Sequence, residues 1–293
     1  MTQPRSGLLG PAEIRDLAEL LDLQPTKKLG QNFVIDANTV RRIVKASGVA
    51  AGESVVEVGP GLGSLTLGLL EAGASVVAVE IDNRLAGQLP KTVELLQPEL
   101  IEKDSAVLTV ILQDAMTVTE LPGDPTALVA NLPYNISVPV LLRFIELFPG
   151  IDKALVMVQA EVGQRIAAEP GSKIYGSPSL KAAWYGRWST AGMVSRQVFW
   201  PVPNVDSILV RFSRAEQPGT EEERLATFAL IDAAFQQRRK MLRQSLSSVL
   251  GDTATASARL EAAGVAPTAR GEELTVLDFL RIVRAAEAQS PSV

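Results

Sequence analysis

The stretch Ser54-Val55-Val56-Glu57-Val58, followed by Gly59-Pro60-Gly61-Leu62-Gly63, joins a short apolar run to a glycine-rich turn. A run of this length is typical of a buried strand. The next residues, Ser64-Leu65-Thr66-Leu67, predict the start of a helix. Strand, glycine turn and helix in this order let backbone amides approach a ligand closely. The glycine spacing is G-x-G-x-G instead of the G-x-G-x-x-G of dinucleotide-binding proteins, which favours a cofactor without phosphate groups.

Further apolar runs alternate with helical patterns over about a hundred residues, as in proteins built from β-α-β units. Alternation of this kind predicts an α/β fold with a doubly wound parallel sheet. Helices are expected after the second strand and at 138–148. The remaining strands are predicted at 76–80, 107–112, 127–130 and 154–158.

Acidic side chains stand where two of these strands end. Glu80 closes the second strand, a position from which a carboxylate accepts both hydroxyls of a ribose. Asp82 is predicted to cap the following helix and needs no other role. Asp114 follows the third strand and either accepts a hydrogen bond from an adenine amino group or caps a turn. The sequence leaves these two interpretations of Asp114 open.

The segment Asn131-Leu132-Pro133-Tyr134 follows the fourth strand. Proline cannot continue a sheet ladder, so these residues should stand at the carboxyl end of the strand, where open α/β sheets bind ligands. The Asn131 side-chain oxygen and a freed backbone carbonyl can accept both hydrogens of an exocyclic amine while the Tyr134 ring stacks on the base. The alternative is a turn with a core tyrosine, and these four residues alone favour that alternative.

Composition limits the chemistry that the chain can perform. The 293 residues, 46% of them hydrophobic, suit one large domain and a smaller one. The absence of Cys and His excludes disulfides, thiolate catalysis and the usual general base, and no metal site is predicted. Residues 1–10 lack the apolar core of a signal peptide, and the uncharged run 125–142 contains three prolines. We therefore expect a cytoplasmic protein without a membrane span.

The net charge of −5 argues against binding nucleic acid over the whole surface, but basic residues are clustered. Residues 27–45 include five basic side chains, among them Lys27 and Lys28, against Asp36 alone. A second cluster contains no acid. Each cluster is either a solvated helix face or part of a surface for a polyanion. The second cluster comprises Arg238, Arg239, Lys240 and Arg243.

Outside the predicted sheet, the pattern is mainly helical. An amphipathic helix is predicted at 11–23, with Ile14, Leu17, Leu20 and Leu21 on its apolar side. The basic segment 27–34 is interpreted as a linker or a lid. Residues 170–176 are expected to form an exposed loop that offers Lys173 and Tyr175 to a phosphate or a base. Strands at 194–199 and 208–212 and a linker at 217–219 follow, and the final helices are predicted at 222–235, 240–250, 254–263 and 276–288.

In this order, six segments resemble the small-subunit ribosomal RNA adenine dimethyltransferases, the kasugamycin-sensitivity methylases. The likeness covers nearly the whole chain after about residue 25, and the six motifs together are highly specific. They are Leu29-Gly30-Gln31-Asn32-Phe33, Val56-Glu57-Val58-Gly59-Pro60-Gly61-Leu62-Gly63, Asn131-Leu132-Pro133-Tyr134-Asn135-Ile136, Gly171-Ser172-Lys173-Ile174-Tyr175-Gly176, Pro203-Asn204-Val205-Asp206-Ser207 and Ala234-Phe235-Gln236-Gln237-Arg238-Arg239-Lys240.

The resemblance implies a Rossmann-like, class I S-adenosylmethionine-dependent methyltransferase with a smaller C-terminal helical domain. The product would be N6,N6-dimethyladenosine at two adjacent adenines near the 3′ end of 16S rRNA. Asn131, Leu132, Pro133 and Tyr134 would hold the target base, and Asn131 would also contact the cofactor. The other implied cofactor residues are Asn32 and Val34 in the covering loop, Gly59 and Gly61 in the glycine turn, Glu80 at the ribose and Asp114 at the cofactor adenine.

The chain departs from the family pattern at Val34, where leucine is usual, and at Ser177-Pro178, where the loop normally continues without proline. We predict an N-terminal extension at 1–25, a catalytic domain at 26–214 and a helical RNA-binding domain at 215–293. The partner would be 16S rRNA in the small ribosomal subunit or its precursor, and the protein is expected to be monomeric. RNA phosphates would be held by Lys27, Lys28, Lys173, Arg238, Arg239, Lys240 and Arg243.

Three alternatives remain at this point. A methyltransferase of the same fold could act on large-subunit rRNA, as the macrolide-resistance methylases do. The protein could instead be an RNA-binding ribosome assembly factor whose methylation is incidental, since a fold does not establish a function. A nicotinamide-dependent oxidoreductase is disfavoured by the glycine spacing and by the absence of histidine.

Overall fold

Alternating apolar strands and amphipathic helices build a mixed α/β structure in the computed structural model, which describes residues 7–23, 32–100 and 107–288. The strands of this part are β1 Phe33–Val34, β2 Ser54–Val58, β3 Ser75–Glu80, β4 Leu108–Leu112, β5 Ala127–Asn131, β6 Lys153–Gln159, β7 Gly186–Val194, β8 Phe199–Trp200 and β9 Ser207–Arg214. Its helices are α1 Pro11–Leu20, α2 Ala37–Ser47, α3 Ser64–Glu71, α4 Asn83–Leu96, α5 Ser137–Leu147, α6 Ala160–Ile166, α7 Ser177–Ala183, α8 Glu221–Gln236, α9 Leu242–Ser245, α10 Ser247–Leu250, α11 Thr253–Ala262 and α12 Val276–Ala288.

The central sheet has seven strands in the order β4-β3-β2-β5-β6-β9-β7. Strands β4, β3, β2, β5 and β6 are parallel, and β9 lies antiparallel to β6. Val55 of β2 pairs with Val76 on one side and with Ala127 on the other. Continuous valine-rich runs are typical of strands that are covered on both faces. The carboxyl ends of the parallel strands and the first residue of β9 therefore meet at one edge of the sheet. The α/β, doubly wound prediction is confirmed.

Local signals set the helix boundaries near the sheet. The Asp36 side chain accepts a hydrogen bond from the Thr39 amide at the start of α2, and Gly48 ends that helix with a φ of 67°. Asp82 caps α4 by accepting from the Arg84 amide at 2.9 Å, as predicted. Gly63, with a φ of 97°, precedes α3. These residues fix where α2, α3 and α4 begin and where α2 ends.

The N-terminal helix α1 packs through Ile14 and Ala18, which are buried. Leu20 was predicted on the apolar side but is 71% exposed, because it lies six residues after the buried Ile14 and so about 120° around the helix from it. The guanidinium group of Arg84 donates to the carbonyl oxygens of Leu21 and Asp22 at 3.3 and 3.1 Å. These bonds hold the end of the N-terminal segment to the residues that follow β3.

The described chain packs into two compact units. One comprises Met1–Gly163 and Ser189–Ser213, and the other comprises Gln164–Trp188 and Arg214–Val293. Residues 164–188 thus pack with the C-terminal helices, and residues 7–23 fall within the first unit. No helix in the described ranges is both long and apolar enough to cross a bilayer.

Three expectations outside the sheet centre are wrong. The strand predicted at 194–199 lies earlier, at Gly186–Val194, because this polar edge strand alternates exposed residues and carries a weak apolar signal. Residues 196–198 form a 3-10 turn instead. Tyr175 is buried, and its hydroxyl donates to the Leu274 carbonyl at 3.0 Å, so it is not available to RNA. The helix predicted at 240–250 is divided into α9 and α10.

Candidate active site

A cavity of about 280 Å³ opens at the carboxyl ends of β2, β3 and β5. The structure brings all seven predicted cofactor residues together around it, and Pro133 joins them. Their side chains come from positions that are distant in the sequence but adjacent at one edge of the sheet. These lining residues are Asn32, Val34, Gly59, Gly61, Glu80, Asp114 and Asn131.

The glycine turn after β2 has the backbone conformation that only glycine adopts readily. Gly59 and Gly61 have φ values of 70° and 58°. A Cβ atom on Gly61 would lie 2.9 Å from the ring of Phe33, so a side chain has no room there. The Gly59 amide donates to the Val79 carbonyl at 2.9 Å, which fixes the turn to the neighbouring strand. The turn therefore presents bare backbone to the cavity.

Glu80 is held as an acceptor at the end of β3. Its carboxylate accepts hydrogen bonds from the amides of Gly61, Ile81 and Asp82 at 3.2, 2.9 and 3.0 Å. Only 5% of the residue is exposed, and this burial raises the pKa of its carboxyl group against the opposing effect of the three amides. The carboxylate is therefore fixed in place, with its remaining lone pairs available to a ligand in the cavity.

Sequence reasoning assigned no role to Glu57, which also lines the cavity. Glu57 is 1% exposed and accepts a hydrogen bond from Thr66 Oγ1 at 2.6 Å. Burial raises the pKa of its carboxyl group to about 8, and the negative charge of Glu80 adds to the shift. An acid inside an otherwise apolar strand was the available signal, because isolated charges are costly to bury.

The ionisable side chains of the described residues that line the cavity are all acidic. Glu57, Glu80 and Asp114 line it, whereas no Lys or Arg of the described chain does so. The Asp114 carboxylate accepts from the Met116 amide at 2.8 Å and so caps a turn, while the residue also faces the cavity. Exposed apolar residues, Ile81 and Met116, flank the same end. The cavity suits a cationic ligand with a flat, partly apolar portion.

The amide of Asn131 has one orientation. Its Nδ2 atom donates to the backbone carbonyl of Asn32 at 2.9 Å. Only the NH₂ side of an amide can donate to a carbonyl oxygen, so this bond assigns the other side as Oδ1. An acceptor oxygen is thereby available at the end of β5, beside the cavity.

The next three residues differ in their surroundings. Leu132 is buried, and its amide donates to the Met157 carbonyl at 3.1 Å, while its own carbonyl accepts no hydrogen bond from the described residues. The Pro133 carbonyl accepts from the Ile136 amide at 3.2 Å. Tyr134 is half-buried and lies outside the cavity lining. Leu132 therefore offers the less engaged of the two backbone carbonyls.

The predicted RNA contacts fall into three groups. Lys27 and Lys28 lie outside the described residues. Arg238 donates to Glu272 and to the Lys173 carbonyl, each at 2.8 Å, so its guanidinium group already ties the 170–176 loop to the helical unit. The remaining predicted residues have no ion pair within the described chain: Lys173, Arg239 and Lys240 are exposed, and Arg243 is half-exposed.

A further cation, Arg270, was missed. The amides of Leu242 and Arg243 donate to the carbonyls of Ala269 and Pro267, which brings the exposed Arg270 to the segment that contains the predicted cluster. No local pattern marks Arg270, because its relation to the cluster depends on contacts between distant segments. We call Arg239, Lys240, Arg243 and Arg270 the basic patch.

Comparison with known proteins identifies the family of the chain. The model of the family "Ribosomal RNA adenine dimethylase" matches residues 23–288. The chain is 71% identical to "Ribosomal RNA small subunit methyltransferase A" of Leifsonia xyli subsp. xyli, over 94% of this chain and 97% of that protein. The solved structure of the 23S rRNA methyltransferase ErmE is 25% identical, covers 87% of this chain and 99% of its own, and has a TM-score of 0.65.

A dimethyladenosine transferase from Plasmodium falciparum has the same fold, with a TM-score of 0.69 at 22% identity over 85% of this chain and 95% of that chain. The sheet is that of the class I S-adenosylmethionine-dependent methyltransferases. Because the family model spans nearly the whole chain and the Leifsonia relative is so similar, this protein belongs to the ribosomal RNA adenine dimethylase family.

Proposed function

We propose that this protein transfers methyl groups from S-adenosyl-L-methionine to N6 of two adjacent adenosines near the 3′ end of 16S rRNA, forming N6,N6-dimethyladenosine. The observation that carries the proposal is the fixed amide of Asn131, whose Nδ2 bonds to the Asn32 carbonyl and leaves Oδ1 as an acceptor beside the cavity. The high identity to a small-subunit methyltransferase supports the choice of rRNA.

The residues around the cavity fit the cofactor. S-adenosyl-L-methionine supplies a cationic sulfonium that carries the methyl group to be transferred. Glu80 and Asp114, with no lining Lys or Arg in the described chain, favour a cation over an anion. Glu80 is placed to bind the ribose, the backbone at Gly59 and Gly61 to bind the methionine end, and Asp114 to bind the adenine. Asn32 and Val34 would cover the cofactor.

In the proposed mechanism, the chain positions the target amine and does not deprotonate it before attack. The lone pair of an adenine N6 is delocalised into the ring. Asn131 Oδ1 and the Leu132 carbonyl would accept its two hydrogens in the first transfer, and one of them would accept the single remaining hydrogen in the second. These bonds would make the nitrogen more pyramidal and its lone pair more available to the methyl carbon. Each transfer would release one proton to solvent and leave the spent cofactor as a neutral thioether. The Tyr134 ring would hold the extruded base by stacking. Positioning of this kind contributes about 7–11 kcal/mol in favourable cases.

The RNA would be held by backbone contacts away from the reacting base. Exposed cations without ion pairs in the described chain, such as Lys173 and the basic patch, suit phosphates. We assign Arg238 an indirect part, because it fastens the Lys173 loop. Lys27 and Lys28, which lie outside the described residues, would also contact RNA phosphates. The enzyme would act as a monomer in the cytoplasm, on the small ribosomal subunit or its precursor.

The alternatives receive less support. Identity falls from 71% with the small-subunit relative to 25% with the 23S rRNA methyltransferase, so a large-subunit substrate is disfavoured. An assembly factor with incidental methylation would not need an amide held in a single orientation beside an acidic cavity.

Small subunits and large subunits from a strain without the modification should be incubated separately with the protein and S-adenosyl-L-methionine. Mass spectrometry of nuclease digests is expected to show dimethyladenosine in 16S rRNA and none in 23S rRNA. The Asn131→Ala variant serves as the control and should form far less dimethyladenosine in 16S rRNA than the parent in the same short incubation. Methylation of 23S rRNA alone, or equal methylation by the variant, would contradict the proposal.

A further inference from the structure

The segment 203–207, one of the motifs that mark the family resemblance, has no part in the steps proposed so far. Its last residue, Ser207, is fully buried at 0% exposure. The Ser207 hydroxyl lies 2.7 Å from the phenolic oxygen of Tyr134, and either group can donate. A residue 73 positions further along the chain thus contacts the aromatic ring beside the target amide.

The sheet topology explains this meeting. Ser207 is the first residue of β9 and pairs with Gln159, the last residue of β6. Because β9 runs antiparallel to β6, its start lies at the edge where β5 presents Asn131. The preceding residue, Asp206, accepts from the Ala160 amide at 3.0 Å through its carbonyl and from the Arg196 amide at 3.2 Å through its carboxylate. Ser207 is therefore a fixed point of the sheet and not part of a free loop.

A hydroxyl is not needed for stacking, because phenylalanine offers the same ring surface to a base. Rotation about the first side-chain torsion of tyrosine swings the whole ring and carries the phenolic oxygen with it. A hydrogen bond to that oxygen, at the far end of the ring, restrains this swing. Burial chiefly raises the pKa of the Tyr134 hydroxyl, so the phenol stays protonated and can donate. The Ser207 hydroxyl has no access to solvent, and the bond to Tyr134 gives it a hydrogen-bond partner.

We propose that Ser207 is a positioning residue for methyl transfer, whose hydroxyl holds the Tyr134 ring at the position where the target adenine stacks. This inference rests on the proposed function and assigns a further residue to the same site. Because the Tyr134 ring is held in place before RNA binds, its side chain loses little conformational entropy when the transition state forms. Segment 203–207 then contributes to the reaction through Tyr134 and not through contact with either substrate.

The test compares Ser207→Ala, Tyr134→Phe and the double variant with the parent. Small subunits lacking the modification are the substrate, and cofactor is saturating. Each single variant is expected to lower kcat about 3- to 10-fold, the effect of one ordinary hydrogen bond, with little change in KM or in cofactor affinity. The double variant should match Tyr134→Phe, because without the phenol Ser207 has nothing to hold. Ser213→Ala, an exposed serine at the other end of β9, is the matched control.

A further decrease when Ser207→Ala is added to Tyr134→Phe would overturn the inference, and so would a parent-like kcat for Ser207→Ala. Tyr134→Phe and the double variant both lack the Tyr134 hydroxyl, so neither leaves that group unpaired. If Ser207→Ala alone does not fold, comparing kcat of these two variants still tests the inference. Failure of the proposed function has a different signature, since the parent itself would then leave 16S rRNA unmethylated.

Discussion

At the scale of single residues, Asn131 combines two functions in one amide. Its NH₂ group anchors the Asn32 carbonyl, and its oxygen is left for the target amine. Asn131→Ala removes the acceptor, and we expect kcat to fall about 100-fold, as when one preorganised transition-state contact is lost in other enzymes. The cofactor dissociation constant should rise less than about threefold, because many other groups line the cavity. Single-turnover methylation and cofactor titration measure the two quantities separately.

Asn131 is only partly buried, so its replacement by alanine should not prevent folding. If the thermal midpoint of the variant is close to that of the parent, a folding defect does not explain the loss of activity. A variant that retained kcat but bound cofactor weakly would show that the amide serves only to hold Asn32. That outcome would remove Asn131 from the reacting centre.

Glu57 predicts a pH dependence of stability. Its pKa is about 8 in the folded protein and near 4.5 when the chain is unfolded. The folded state therefore binds more protons between these values, and the stabilisation is lost as pH rises toward 8. Glu57→Gln keeps an acceptor for Thr66 but does not titrate. In the cofactor-free protein, its thermal midpoint should exceed that of the parent by roughly 2–6 °C at pH 8 or above and by much less near pH 5.

Thermal scans at several pH values from 5 to 9 measure this difference directly. Glu80 titrates in both proteins, so its direct contribution largely cancels in the comparison. A difference between Glu57→Gln and the parent that stays constant across the series is incompatible with a raised pKa for the buried carboxyl.

At the scale of elements, α2 and α3 approach each other closely at Gly68. A Cβ atom there would lie 2.4 Å from Val40 Cγ1 and 3.2 Å from Val44 Cγ2. Gly68→Ala should therefore destabilise the protein by about 1–3 kcal/mol, although alanine favours a helix more than glycine does. Adding Val40→Ala makes room for the new methyl group. Denaturant titration should show the double variant to be less destabilised than the sum of the two single variants, and strict additivity would contradict the packing argument.

Elements with strong local signals were predicted best. The α12 boundaries and the β2 strand agree with the sequence pattern, because helix-starting residues and valine-rich runs act within a few residues. Polar edge strands carry no such signal, and β7 was therefore displaced in the prediction. Tyr175 was misjudged for a related reason, since its burial depends on Leu274, which is distant in the sequence.

The site shows the same division between local and long-range information. The glycine turn, Glu80 and Asn131 could be identified from residues that follow apolar runs, because the carboxyl edge of a parallel sheet collects ligand-binding groups. The bonds of Asn131 to Asn32 and of Tyr134 to Ser207 could not, since each joins segments more than 70 residues apart. Glu57 could have been noticed as an acid inside a buried strand.

At the scale of the whole molecule, the acidic net charge and the local basic patch lead to a prediction about RNA binding. Each phosphate neutralised by a cation adds about 0.7–0.9 to the slope of log affinity against log salt concentration. Replacing Arg239, Lys240 and Arg243 by alanine should therefore weaken binding to small subunits and lower that slope by about 2–3. Cofactor affinity should be unchanged.

Two single variants, Arg238→Ala and Lys91→Ala, serve as controls for the triple variant. Arg238 already binds Glu272 and the Lys173 carbonyl, so its loss should lower the thermal midpoint and change the salt slope by less than one phosphate contact. Lys91 is an exposed lysine on α4 and should leave both the slope and the affinity unchanged. If the triple variant keeps the parent slope in filter-binding titrations from low to high salt, the basic patch does not contact RNA, and the cations that hold the ribosomal subunit must lie elsewhere.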